Sequence, residues 1–153
     1  MKKKPEMIIM MGLPACGKNT WIKNNKKSHV VVELDWIRRH IFGHQYHKEA
    51  EPFIIGMAKS ITRMLLSQGK DVIINSTGLV AQIRNEWVNM ADEYEYTTKI
   101  VFIDIPIMKC YSRNSKRVED KVPEEVIERM GNILQRPNIS CIDKADKILI
   151  AED

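Results

Sequence analysis

Apolar positions fall into two alternating patterns along the chain. Short, nearly unbroken apolar runs occupy residues 7–11, 30–34, 72–74, 100–103 and 147–150. That is the pattern expected of strands buried on both faces. Between these runs the apolar residues recur at helical spacing. A first helix is predicted from Thr20 to about Asn25, and a short one over 35–42 with Gly43 as its stop. The spacing of Ile54, Ile55, Ala58, Ile61, Leu65 and Leu66 predicts a longer helix over 51–67, closed by Gly69. Val80, Ile83, Trp87, Val88 and Ala91 predict another over 80–94. A further helix is expected from Ile107 to about Arg117. Pro123-Glu124-Glu125 places proline and acids where a helix N-terminus favours them. Strands alternating with helices imply an α/β fold, a parallel sheet of about five strands flanked by helices in three layers. Its ligands should gather at the carboxyl ends of the strands.

Composition bounds this picture without redrawing it. The chain has 153 residues, 44% hydrophobic and 29% charged, so one domain over 1–153 with a substantial core is expected. Its net charge of +4 favours anionic partners. No apolar run approaches the ~20 residues of a membrane span, so no membrane partner is expected. Cys16, Cys110 and Cys141 are widely spaced and lack a C-x-x-C arrangement. They argue against a disulfide framework or zinc site and for a reducing cytoplasm. The opening lysines followed by Leu13-Pro14-Ala15-Cys16 mimic a lipoprotein signal. Residues 7–11, however, are a far shorter apolar core than the ~7–15 residues such a signal needs, and Gly17-Lys18 follows at once. The likeness is accidental.

Three constellations carry chemistry. Gly12-Leu13-Pro14-Ala15-Cys16-Gly17-Lys18 fits G-x-x-x-x-G-K, between a buried strand and a helix. There, successive backbone N–H groups and a helix N-terminus wrap a phosphate, and Lys18 contacts the transferring group. Asp35 and Arg38 follow the second strand, one helical turn apart. The carboxylate suits a general base toward an attacking hydroxyl, and equally suits a helix N-cap paired with a surface arginine. Arg113 and Arg117 lie four apart before a polar stretch ending at Pro123, as in a mobile lid that brings cations over phosphates. His40, His44 and His47 have spacings of four and three, but Gly43 interrupts them and no carboxylate or thiolate completes a metal set. A solvated or acceptor-facing cluster is the expectation.

Taken in order, these blocks resemble the 5′-kinase domain of bacteriophage and bacterial polynucleotide kinases, within the small P-loop kinases. The resemblance runs from residue 7 to about 134. It rests on the stretch 12–21, on Asp35-x-x-Arg38, on Val72-Ile73-Ile74-Asn75-Ser76-Thr77-Gly78-Leu79, and on Arg113-Asn114-Ser115-Lys116-Arg117 before Val122-Pro123. It implies a P-loop NTPase fold and ATP-dependent transfer of the γ-phosphate to a DNA or RNA 5′-hydroxyl. The loop Gly12 to Thr20 would hold ATP with Arg113 and Arg117. Lys18, Asp35, Arg38 and Arg117 would be catalytic, and Asp35, Arg38 and Thr77 would hold the acceptor. Family loops usually read G-x-P-G-S-G-K-S-T. Here Ala15 replaces a glycine, Cys16 a serine, and Asn19 the serine that ligates Mg²⁺, while Ser76 stands where relatives have an acid. Asn19 is the expected metal ligand, its amide oxygen being a hard donor, and Asp104 is a possible compensating acid. The larger phage relatives carry a C-terminal phosphatase domain, for which this sequence has no room. A kinase acting on a nucleoside, sugar or antibiotic, or a nucleotide-binding protein with weakened catalysis, are the alternative readings.

Overall fold

The computed structural model describes residues 2–43 and 47–152. Among them, β1 (Glu6–Met11), β2 (Val30–Glu33), β3 (Val72–Asn75), β4 (Thr97–Ile103) and β5 (Lys147–Ala151) form one sheet. Its order is β2-β3-β1-β4-β5, and every pairing is parallel. β1 lies at the centre, with Ile9 beside Ile74 of β3 and Ile100 of β4. The chain winds to one side of β1 through β2 and β3, then crosses to the other. The loop after β1 therefore opens at the reversal point, where α/β sheets bind ligands.

The uninterrupted apolar run of β1 is explained by its two faces. Met7, Ile9 and Met11 pack with α2 (Leu34–Phe42), α3 (Glu51–Ser67) and α4 (Ala81–Glu93). Ile8 and Met10 pack with α1 (Lys18–Asn25), α5 (Ile107–Ser115) and α6 (Glu124–Ile133). The result is a three-layer arrangement. No helix among the described residues is long and apolar enough to cross a membrane.

Three details depart from the periodicity. Leu34, expected to end the second strand, begins α2. Ile55 and Ile61 sit at the margin of the α3 face, 38% exposed each, while Thr62 is buried with its hydroxyl donating to the Ala58 carbonyl at 2.7 Å. In α4, Ile83 is exposed and Arg84 fully buried. Arg84 Nε and Nη2 donate to the two oxygens of Asp143 at 2.8 and 3.1 Å, and Nη1 donates to the Gly78 carbonyl at 2.7 Å. A buried guanidinium persists only when its donors are satisfied this fully.

Candidate active site

The loop over residues 12–17 is shaped by backbone constraints. The Gly12 N–H donates to the Thr77 carbonyl at 2.9 Å. A Cβ on Gly12 would lie 2.5 Å from Cys16 Sγ and 3.3 Å from the Ile103 carbonyl oxygen, so a larger residue would displace the loop. On the other side of that bond, Gly78 has φ 55°, and a Cβ there would meet the Met10 carbonyl oxygen at 2.7 Å. Arg84 holds this same glycine, so the buried ion pair braces the segment on which the loop begins. Ala15, at the glycine position of the family pattern, stands at φ 63°, a left-handed conformation that costs little only for glycine.

Lys18 opens α1 and folds back on the loop. Its Nζ donates to the carbonyls of Gly12 and Leu13 at 2.8 and 2.9 Å and lies 3.8 Å from Cys16 Sγ. Burial pushes its pKa below the ordinary amine value. Cys16 and Asp35 oppose that shift, and Arg117 adds to it.

Asp35 lies in the first turn of α2 with its side chain 70% exposed, and its Oδ1 accepts from Arg38 Nη1 at 2.5 Å. It is not the N-cap; Glu33 occupies that position and makes no side-chain capping bond. Arg38 is fixed from behind by Glu51, whose two oxygens accept from Nε and Nη2 at 2.8 and 3.0 Å. This bidentate fork, which no spacing in the sequence suggests, leaves Nη1 on the Asp35 side. Nearby, burial raises the Glu33 carboxyl pKa, and Asp35 and Asp120 raise it further.

The polar stretch after α5 is tied down at both ends. Arg113 Nη1 donates to the Cys16 carbonyl at 3.0 Å, bracing the loop from outside. Buried Asn114 donates to the Val122 carbonyl at 2.7 Å and accepts the Val122 N–H at 3.0 Å. Between them, the Asp120 carboxylate pairs with Arg39 of α2, and its carbonyl accepts from Arg117 Nη1 at 3.3 Å. α5 ends at Ser115, so Arg113 and Arg117 do not share its face. Thr77 joins the loop through its carbonyl.

Asn19 is exposed, and its Oδ1 accepts from Asn75 Nδ2 at 2.8 Å. A carboxamide oxygen has two lone pairs, so this bond orients Asn19 and leaves one lone pair for Mg²⁺. That ion takes few protein oxygens and completes its octahedron with water and phosphate. Ser76 Oγ is buried without a partner at the same strand end. These oxygens fit a phosphate-bound magnesium. The Asp104 carboxylate pairs with Arg136, whose guanidinium also lies 5.1 Å from the Phe102 ring centre. Among the described residues, no group of three His, Cys, Asp or Glu could hold a metal. His40 stacks on Trp36, His47 pairs with Glu49 at 2.8 Å, and His44 lies outside the described residues. Beside the loop opens a cleft of about 330 Å³, lined by Leu13, Cys16, Phe102, Asp104, Cys110 and Arg136 among others.

Comparison with known proteins places this geometry. A family model described as an AAA domain matches residues 7–137. L-seryl-tRNA(Sec) kinase of Methanococcus maripaludis is 27% identical over 139 residues, covering 86% of this chain and 53% of that protein. A chain of the solved Pnkp1/Rnl/Hen1 RNA repair complex superposes with a TM-score of 0.76 at 25% identity, covering 88% of this chain and 45% of that one. The Mycobacterium tuberculosis APS kinase CysC, solved with AMPPNP and APS, gives a TM-score of 0.63 at 17% identity over 97% of this chain and 90% of that one, a likeness of fold alone. The chain spans about half the length of that tRNA kinase, one of the curated relatives it matches.

Proposed function

The chain belongs to the AAA-domain family of small P-loop kinases, and from that premise we propose that it transfers the γ-phosphate of ATP to the 5′-hydroxyl of a DNA or RNA end. The observation that carries this reading is that the segment over 113–120 bonds both parts of the site, Arg113 to the Cys16 carbonyl of the loop and Asp120 to Arg39 of α2, the helix that carries Asp35 and Arg38. The loop amides and Lys18 hold the donor phosphates, Lys18 leaving its loop carbonyls for them. The nucleoside of ATP occupies the cleft beside Leu13 and Phe102. Arg38, preset by Glu51, takes a phosphate of the acceptor strand and so positions its 5′ end. Asp35 accepts the hydroxyl proton as that oxygen bonds to the γ-phosphorus. The bond from phosphorus to the β–γ bridging oxygen breaks, releasing ADP. Arg117 stabilises the charge on the γ-phosphoryl oxygens. Asn19 would hold Mg²⁺, which would supply positive charge against the donor phosphates. The Pnkp1-containing repair complex supports the polynucleotide acceptor at the level of likeness. The seryl-tRNA kinase, at comparable identity, keeps another hydroxyl acceptor as the second reading.

Incubation with γ-labelled ATP and a 5′-hydroxyl oligonucleotide tests the proposal. Label at the 5′ end is the expected result. ATP binding with no labelled oligonucleotide in either Mg²⁺ or Mn²⁺ refutes it, and label on nucleosides alone shifts the reading to a small-molecule kinase.

A further inference from the structure

Trp36 has no place in the phosphoryl-transfer chemistry, yet it directly follows Asp35. Its side chain projects from the solvent face of α2, and the residue is 48% exposed. The ring is nonetheless held in one attitude. His40, one turn on, stacks against it with centroids 4.4 Å apart and planes 14° from parallel. The imidazole is itself fixed, its Nδ1 lying 3.0 Å from the Trp36 carbonyl oxygen. An exposed indole pinned flat by a neighbour adds little to the core, but it presents a rigid π surface at small entropic cost.

The surroundings of that surface are specific. At 100° per residue, Trp36 lies on α2 between the direction of Asp35 and that of His40, with Arg39 between Asp35 and Trp36. Arg38 and Arg39 stand on the same helix, Arg38 paired with Asp35 and Glu51 and Arg39 with Asp120, and the lid that Asp120 ties to Arg39 also carries the lysines Lys116 and Lys121. Flat aromatic surface beside cations is the pairing that binds single-stranded nucleic acid, the cations taking phosphates and the ring taking a base.

We propose that the Trp36–His40 stack is a platform for a nucleobase near the 5′ end of the acceptor strand. It would make the protein selective for polynucleotides over hydroxyl acceptors that lack a base. This deepens the proposed function and rests on it for the identity of the acceptor. The platform sets affinity for the acceptor and leaves proton transfer to Asp35, so its loss raises KM for the oligonucleotide and spares kcat and ATP affinity.

The test is a cycle between protein and substrate. Wild type, Trp36→Ala and Trp36→Phe are compared on a 5′-hydroxyl oligonucleotide and on versions with an abasic residue at the first, second or third position. Equilibrium binding is read by anisotropy, and phosphorylation from γ-labelled ATP. At one position, removing the base should weaken wild-type binding about tenfold and leave Trp36→Ala unaffected. Trp36→Phe should recover most of the intact-substrate affinity. An abasic penalty equal in wild type and Trp36→Ala at all three positions overturns the platform. So does Trp36→Ala binding the intact oligonucleotide as tightly as wild type. If wild type phosphorylates no oligonucleotide, the proposed function falls, and these binding comparisons still decide the platform.

Discussion

The two halves of the site are made of different materials. On the donor side, residues 12–18 are mostly buried and held by backbone groups. Gly12 bonds to Thr77, Lys18 to two loop carbonyls, and the Cys16 carbonyl to Arg113. On the side proposed to take the acceptor, α2 offers side chains to solvent: the carboxylate of Asp35, an arginine shared with Glu51, and a stacked indole. A phosphate cradle made of amides depends on backbone geometry. On the proposed reading, such a cradle accommodates Ala15 and Cys16 in place of the usual residues while the loop keeps its path, and only Asn19 acts through its side chain. An acceptor site made of side chains depends on which side chains they are. On the proposed function, the donor half would carry the chemistry common to the family and the acceptor half would choose the substrate.

The sharpest way to break the donor half is from beneath. Asp143→Ala strands the buried Arg84 guanidinium and frees the Gly78 segment. Losing one partner of a buried pair costs about 3–5 kcal/mol. Thermal unfolding should show a drop of roughly 10 °C, with ATP affinity falling alongside. A smaller, opposite effect is expected at Ala15. Glycine relieves its left-handed backbone, so Ala15→Gly should raise the melting temperature by about 2 °C and leave turnover unchanged. Smallest is Glu33 on the acceptor side, whose pKa is raised chiefly by burial and then by Asp35. The folded state binds that proton more tightly than the unfolded chain. Its stabilising contribution is thus complete below the ordinary carboxyl value of 4.5 and is lost as pH rises through the raised one. Glu33→Gln should flatten stability across that range and raise the melting temperature at neutral pH by about 1 °C.

The donor half was the more legible in sequence for the same physical reason. A backbone cradle needs glycines at fixed spacing after a strand, and Gly12, Gly17 and Lys18 display that spacing directly. The strand runs were equally readable, because parallel strands covered on both faces are apolar throughout, as in β1. Contacts between distant segments were not. Glu51 behind Arg38, Asp120 on Arg39 and Asn75 on Asn19 are juxtapositions that only the topology creates. Arg84 misled the helical pattern, since a buried arginine cannot be told from a surface one until Asp143 is seen opposite it. Asn114 did leave a trace. It lies within the Arg113–Arg117 block, where its two hydrogen bonds with Val122 give a reason for that residue before the lid.

The division of labour is tested most directly by Asp35→Asn, with ATP affinity and single-turnover transfer to a 5′-hydroxyl oligonucleotide measured on the same preparation. The amide keeps the size of the side chain and removes the base. Transfer should fall by at least about 10²-fold, as for loss of a general base, while ATP affinity stays within a few-fold of wild type. A large loss of ATP binding, or transfer at the wild-type rate, would contradict the assignment of Asp35 to the acceptor half.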